Sequence, residues 1–94
     1  MSGWIYIVTN RRNGTLYTGV TAKLAARIWQ HKTGAVEGFT KQYGLKMLAY
    51  AEPHDRIEQA IHREKTIKNW PRARKVRLIE SVNPDWKDLY DSIV

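Results

Sequence analysis

Five side chains in this sequence have types and spacings that suit chemistry: Tyr6, Tyr17, Arg27, His31 and Glu64. Tyr6 and Tyr17 stand eleven residues apart in two runs of β-branched and aromatic residues, Trp4 to Thr9 and Thr15 to Val20, which suit a pleated surface. Two phenols side by side either pack as plain aromatics or present a pair of hydroxyls. Arg27 and His31 lie one helical turn apart beside an apolar stripe of Leu24 and Ile28. A guanidinium bordering such a stripe either snorkels to water or lines a pocket that receives an anion. His31 is either a hydrogen-bonded helix residue or a catalytic one. Glu64 falls, at about 100° per residue, near the middle of a helical face made by Ile57, Ala60, Ile61 and Ile67. A carboxylate desolvated there without a partner is strongly unfavourable, so it must be paired, protonated or bound to a cation. Lys68, one turn further on, and Arg27 are its candidate salt-bridge partners.

The elements that would position these groups follow from local pattern. Asn10 to Gly14 separates the two strand-like runs, and Asn13-Gly14 supplies the positive φ of a hairpin turn,. A loop of even length pairs even positions with odd ones, which puts Tyr6 and Tyr17 on one face of the ribbon. Thr21 is placed to cap a helix running to about Thr33, with Gly34 as its stop,. Residues 35 to 44 read as a loop punctuated by Gly34, Gly38 and Gly44,. Phe39 and Tyr43 pack its ends, and Lys41 is within reach of a backbone phosphate. Lys46 to Ala51 reads as a third strand, central and buried, closed by Pro53,. Asp55 or His54 caps a helix that continues to about Asn69, with Glu58 on its outer side. Trp70-Pro71 breaks the chain before a helix over Arg72 to Ser81, anchored by Val76 and Ile79 with Leu78 flanking them,. Asn83-Pro84 ends it, and the last residues, with Trp86, Leu89 and Tyr90, fold back as a short helical cover. The organisation expected is one domain over 1–94, with a core at about 3–82 and a C-terminal cover at 83–94.

Composition narrows the class. A chain of 94 residues can bury one modest core,. It has no cysteine, which excludes disulfides and thiolate zinc sites,. The longest apolar run, Trp4 to Val8, is too short to span a bilayer, and the basic residues near the N-terminus follow that run instead of preceding it,. The expectation is a cytoplasmic protein with no membrane partner. Sixteen Lys and Arg against nine Asp and Glu give a net charge of +7, an excess that favours polyanions. It is concentrated at Arg63, Lys65, Lys68, Arg72, Arg74, Lys75 and Arg77, interrupted only by Glu64. Nucleic acid first, and an anionic membrane surface second, are the partners that this charge favours. Lys41, Arg63, Lys65, Lys68, Arg72, Arg74 and Lys75 are the residues expected to meet nucleic acid.

In order, the chain offers Trp4-Ile5-Tyr6, Tyr17-Thr18-Gly19, Arg27 ten residues later, His31, and Glu64 within Ala60-Ile61-His62-Arg63-Glu64. This ordered set resembles the GIY-YIG nuclease superfamily over roughly residues 3 to 82, and within it the small stand-alone, single-domain bacterial members. The resemblance implies an α/β (α+β) fold, a compact three-stranded antiparallel sheet flanked by helices. It also implies metal-dependent phosphodiester cleavage, with Tyr6, Tyr17, Arg27, His31 and Glu64 as the catalytic set. Glu64 would hold one divalent ion, Mg²⁺ or Mn²⁺, leaving most of the coordination sphere to water and phosphate. Arg27 would clamp a non-bridging phosphate oxygen. Tyr17, with Tyr6 beside it, would orient the attacking water and take its proton, which requires nearby cations because a phenol with a pKa of about 10 is a poor base at neutral pH. His31 would hydrogen-bond a tyrosine or relay the proton.

Departures from the pattern are local. Trp4 stands where the first motif has glycine, Thr18 replaces isoleucine, and Val20 stands where some relatives place a polar or basic residue. Asn83 is the nearest match to an asparagine that closes the site in some relatives. The expected activity is an endonuclease acting on DNA, in repair or on branched or single-stranded forms, as a monomer or weak dimer. The alternative is a nucleic-acid-binding module that keeps the fold and has lost useful catalysis.

Overall fold

The computed structural model describes residues 1–94. Strands β1 (Gly3–Thr9) and β2 (Leu16–Thr21) form the hairpin, and β3 (Met47–His54) adds on the other side of β1. The sheet is antiparallel in the order β2-β1-β3. Helix α1 (Leu24–Thr33) follows the hairpin, and a short α2 (Phe39–Gln42) lies in the connection to β3. Helices α3 (Ile57–Lys68), α4 (Arg72–Val82) and a single turn, α5 (Tyr90–Ile93), complete the chain.

The hairpin register sets the face of every side chain that follows. Tyr6 pairs with Gly19 and Val8 with Tyr17, so both tyrosines share a face, as the even loop length dictates. That face packs on α1: Tyr6, Val8 and Leu48 meet Leu24, Ile28 and Leu45. The opposite face carries Ile5, Ile7 and Tyr50 against Ala60, Ile67, Ile79 and Trp86 of the α3–α4 side. A bulge between Ile7 and Val8 pairs Ile7 with Tyr50 but Val8 with Leu48. Ala49 is thereby left over, and it joins Tyr50 in one layer while Leu48 serves the other,.

The stretch 35–44, expected as a loop, contains α2, and three further expectations about elements need correcting. The central strand is β1, not β3, which lies at an edge. Strand β3 also runs past Pro53 to His54, with the exposed Pro53 opposite Trp4. An edge strand tolerates proline because alternate N–H groups point away from the neighbouring strand. Second, neither Asp55 nor His54 caps α3. Arg56 holds the N-cap position, its own N–H donates to Gln59 Oε1 at 3.3 Å, and the Ile57 N–H donates to the Met1 carbonyl. Third, Thr21 accepts from the Lys23 N–H at 3.0 Å and so shapes the turn before α1 instead of capping it. The stop was read correctly: Gly34 has φ 73°, and α1 ends there,. On α3, Ala60 and Ile67 are buried as periodicity predicts, but Ile61 is turned out.

The outer edge of β3 is covered by the C-terminal segment. The Leu89 N–H donates to the Leu48 carbonyl at 2.8 Å, and Asp88 Oδ1 accepts from the Leu48 N–H at 3.0 Å. Asn83 Nδ2 donates to the Ala49 carbonyl at 2.9 Å. Trp86 is buried in the α3–α4 layer, and its indole N–H donates to Glu80 at 2.7 Å.

Candidate active site

The site is built around the hydroxyl of Tyr6, a residue 1% exposed in the middle of the central strand. Tyr6 can lie flat across its neighbour because Gly19 has no side chain. A Cβ there would collide with the Tyr6 Cζ and Oη atoms. The glycine of Tyr17-Thr18-Gly19 is thus required by the ring opposite it. Helix α1 brings two groups to the hydroxyl from consecutive turns. Arg27 Nε donates to Tyr6 Oη at 3.4 Å, and His31 Nε2 lies 2.9 Å from it. On the far side of the imidazole, His31 Nδ1 lies 3.1 Å from Thr40 Oγ1 on α2.

Electrostatics orient this chain. Burial, together with the charge of Arg27, lowers the His31 pKa to about 4, so its ring is neutral at physiological pH. Burial raises the Tyr6 pKa above its ordinary value. The Arg27 contact opposes the shift, and Tyr17 and Glu64 add to it. A protonated Tyr6 that accepts from Arg27 donates its O–H to His31 Nε2. The His31 Nδ1–H then donates to Thr40.

Arg27 is half-buried, and its Nη1 also donates to Gln30 Oε1 at 3.3 Å. It has no carboxylate within salt-bridge distance. With Thr21, Ala22, Lys23, Ala26 and Gln30 it lines a surface cleft of about 290 Å³. Of the two readings open for Arg27, an uncompensated guanidinium at a cleft wall favours the anion pocket over simple snorkelling. Tyr17, half-buried on the same face, sits with its ring centroid 6.1 Å from that of His31. Its hydroxyl has no hydrogen-bond partner within the chain. Lys68 Nζ stands 5.5 Å from the Tyr17 ring centroid and 3.4 Å from Glu64 Oε2. Glu64 is therefore paired with Lys68 and not with Arg27. Its side chain is 14% exposed, and its charge is felt at the Tyr6 hydroxyl. The five residues singled out in the sequence are thus linked: Arg27 and His31 bond Tyr6, Tyr17 lies against His31, and Glu64 meets the Lys68 that stands over Tyr17.

A model of the GIY-YIG catalytic domain matches residues 2–77 of this chain. The chain belongs to the GIY-YIG family. It is 36% identical over 77 residues to a UPF0213 protein of Staphylococcus haemolyticus, covering 82% of this chain and 93% of that one. A UPF0213 protein of Staphylococcus aureus is 35% identical over 79 residues, 84% of this chain and 95% of the relative. The solution NMR structure of a UPF0213 protein from Bacillus halodurans superposes with a TM-score of 0.60 at 25% identity, covering 94% and 93% of the two chains. The GIY-YIG match establishes membership of a nuclease family and agrees with the three-stranded antiparallel fold.

The basic residues expected to meet nucleic acid separate into two groups on this GIY-YIG scaffold. Lys68 stands at the tyrosine pair, and the exposed Lys41 lies on α2 with a Glu37 contact at 3.3 Å. Arg63 is instead held across the sheet. Its Nε and Nη2 donate to Glu52 at 3.0 and 3.3 Å, where Tyr50 and His54 also bond. Arg74 stacks on Trp70 at 3.9 Å, with Arg63 also over that ring. Arg72 clamps the hairpin turn through the Asn13 and Gly14 carbonyls, both at 2.7 Å. Lys65 is exposed and Lys75 half-buried. Glu52 gave no sequence signal as the partner of Arg63, because the two meet only through the strand-to-helix return.

Two departures from the GIY-YIG pattern have structural accounts. Val20 packs on the layer of Ile5 and Ile7, on the face of the sheet away from the tyrosines. Asn83 is 4% exposed and spends its side chain on the Ala49 and Lys87 backbone, so it braces the C-terminal segment and lies apart from the tyrosine pair. Thr40 is the residue that the sequence reading missed. It lies in a stretch with no periodicity, and only its side-chain type marked it as a possible histidine partner.

Proposed function

We propose that this chain is a metal-dependent endonuclease that hydrolyses phosphodiester bonds in DNA. One observation carries the reading: the Arg27 guanidinium, free of any carboxylate, bonds the buried Tyr6 hydroxyl and also lines an open cleft. Because Tyr6 and His31 are both neutral, nothing at that point cancels the positive charge of Arg27, and an anion entering the cleft receives it. Arg27 then clamps a non-bridging phosphate oxygen. Tyr17, whose hydroxyl is unengaged, orients the attacking water and, in its phenolate form, takes its proton. Tyr6, His31 and Thr40 hold the inner wall, with Tyr6 kept as an O–H donor.

A divalent ion fits the donor chemistry. Glu64 offers a single hard carboxylate, which leaves most of a coordination sphere to water and phosphate. That suits Mg²⁺ or Mn²⁺, which keep several waters and take phosphate oxygens as ligands. When bound, the ion supplies charge relief to the phosphoryl group. Lys68 would surrender its contact with Glu64 and be free to meet phosphate.

The test is cleavage of labelled single-stranded, duplex and branched DNA with Mg²⁺ or Mn²⁺, comparing the wild type with Glu64→Ala and Arg27→Ala. Metal-dependent nicking should vanish in Glu64→Ala, and Arg27→Ala should lose a factor on the order of 10² or more. Undiminished cutting by Glu64→Ala would refute its metal role. A second reading, a binding module without useful catalysis, is favoured by the Glu64–Lys68 ion pair, which neutralises the one carboxylate at the site. It predicts no cleavage by any of the three proteins, with binding that weakens by about 0.9 log units per tenfold salt for each phosphate contacted.

A further inference from the structure

We propose that Phe39 and Tyr43 form a platform on which an unpaired base of the substrate stacks, beside the phosphate held at Arg27 and Tyr17. The proposal rests on the nucleic-acid reading of the site and assigns its specificity to α2. Both rings are unusually open for large apolar side chains, Phe39 at 45% and Tyr43 at 48% exposure. They are not scattered. Phe39 stacks on Tyr17 with centroids 6.3 Å apart and planes 29° apart, and Tyr43 lies against Phe39 at 4.7 Å. The three rings make one continuous aromatic run that begins at the tyrosine pair and ends in solvent.

The run is held in place from beneath. Thr40, between the two exposed rings in sequence, is buried and bonded to His31. The Leu45 N–H donates to the Thr40 carbonyl at 2.9 Å, and Leu45 is fully buried. Helix α2 is therefore fixed by its inward residues while its two rings have no apolar partner above them. Faces of such rings left in water gain nothing, whereas a base stacked on them removes apolar surface of both from water.

Charge points to the same occupant. Lys68 stands over Tyr17, and Arg27 reaches the Tyr6 hydroxyl on the same face of the sheet. The exposed Lys41 of α2 carries Glu37 as its partner, an exposed pair of little strength. Cations at the Tyr17 end and bare rings at the other match a nucleotide, with its phosphate at one end and its base at the other. Within a duplex both faces of an internal base are already stacked, so the platform favours unpaired bases over intact duplex.

The test uses a short single-stranded oligonucleotide carrying 2-aminopurine, with the Glu64→Ala protein so that nothing is cut. Stacking on the rings should quench its fluorescence on binding. Adding Phe39→Ala and Tyr43→Ala together should remove the quenching and weaken binding about tenfold, while leaving its salt dependence in place. Phe39→Tyr, which keeps a ring, should retain both. Quenching unchanged by the paired alanines would overturn the proposal, as would no quenching at all. It would also fall if the paired alanines changed only the sedimentation of the protein, which would assign the rings to self-association. Cleavage by the wild type is scored separately. Ring-dependent quenching without cleavage would leave the platform standing and reject the nuclease.

Discussion

Lowering the pH from 7 towards 4 forces a proton onto a histidine that the fold keeps neutral. His31 is 3% exposed, its Nε2 accepts from Tyr6, and Arg27 stands beside it. Burial first and the Arg27 charge second take its pKa from 6.5 to about 4. The unfolded chain therefore binds a proton near pH 6.5 that the folded chain refuses until about pH 4. Above 6.5 the full contribution is present, and it drains away as the pH falls through that window. Below about 4 the loss levels off. At about 1.4 kcal/mol per pH unit, the gap corresponds to ~3 kcal/mol, a large part of the roughly 5–15 kcal/mol that holds a typical domain. The assay is urea unfolding across this range for the wild type and for His31→Gln, whose amide still reaches Tyr6 and Thr40 but does not titrate. Glu52 and Asp88, both held below their ordinary pKa by hydrogen bonds despite burial, weaken the two proteins alike at lower pH. The difference between the curves then isolates His31. Parallel curves between pH 6.5 and 4 would refute the reasoning.

Other expectations follow from the same geometry. Gly19→Ala should push the Tyr6 ring off its seat, costing about 1–3 kcal/mol and raising the His31 pKa, read by NMR titration. An unmoved His31 would mean the ring accommodates the methyl. Thr40→Val should lower stability by about 1 kcal/mol in thermal melts and loosen α2. Asn83→Ala removes three hydrogen bonds around a buried amide and should cost roughly 2–3 kcal/mol in urea titration. DNA cleavage per folded molecule should stay unchanged in that variant, since the amide bonds only the backbone of β3 and of the C-terminal segment.

Local pattern made part of this molecule legible and long-range contact made the rest opaque. The shared face of Tyr6 and Tyr17 could be read because hairpin parity is a local rule. Glu64 could be read because helical periodicity exposes one polar residue in an apolar stripe. The helix stop at Gly34 is likewise a property of a single residue. Strand order is not local, so β3 was read as central, and Pro53 as its end. Arg63 looked like one cation among many because its partner, Glu52, lies on a strand eleven residues back. Thr40 was invisible for the same reason: it acquires meaning only when α2 is folded against α1. The catalytic-type residues were legible as a set because motif spacing reports them together, whereas the groups that brace them carry no motif.

The covering of β3 bears on assembly. An edge strand with free backbone groups is a template for another chain. Here the Leu48 N–H and carbonyl and the Ala49 carbonyl are already taken by Asp88, Leu89 and Asn83. Those three residues lie beyond residue 77, where the family match ends. A chain shortened to Val82 would keep all five site residues yet offer a bare strand to its neighbours. It would also lose Trp86, a member of the core layer of Ile5, Ile7 and Ile79. The last dozen residues thus close this edge of the sheet at Leu48 and Ala49.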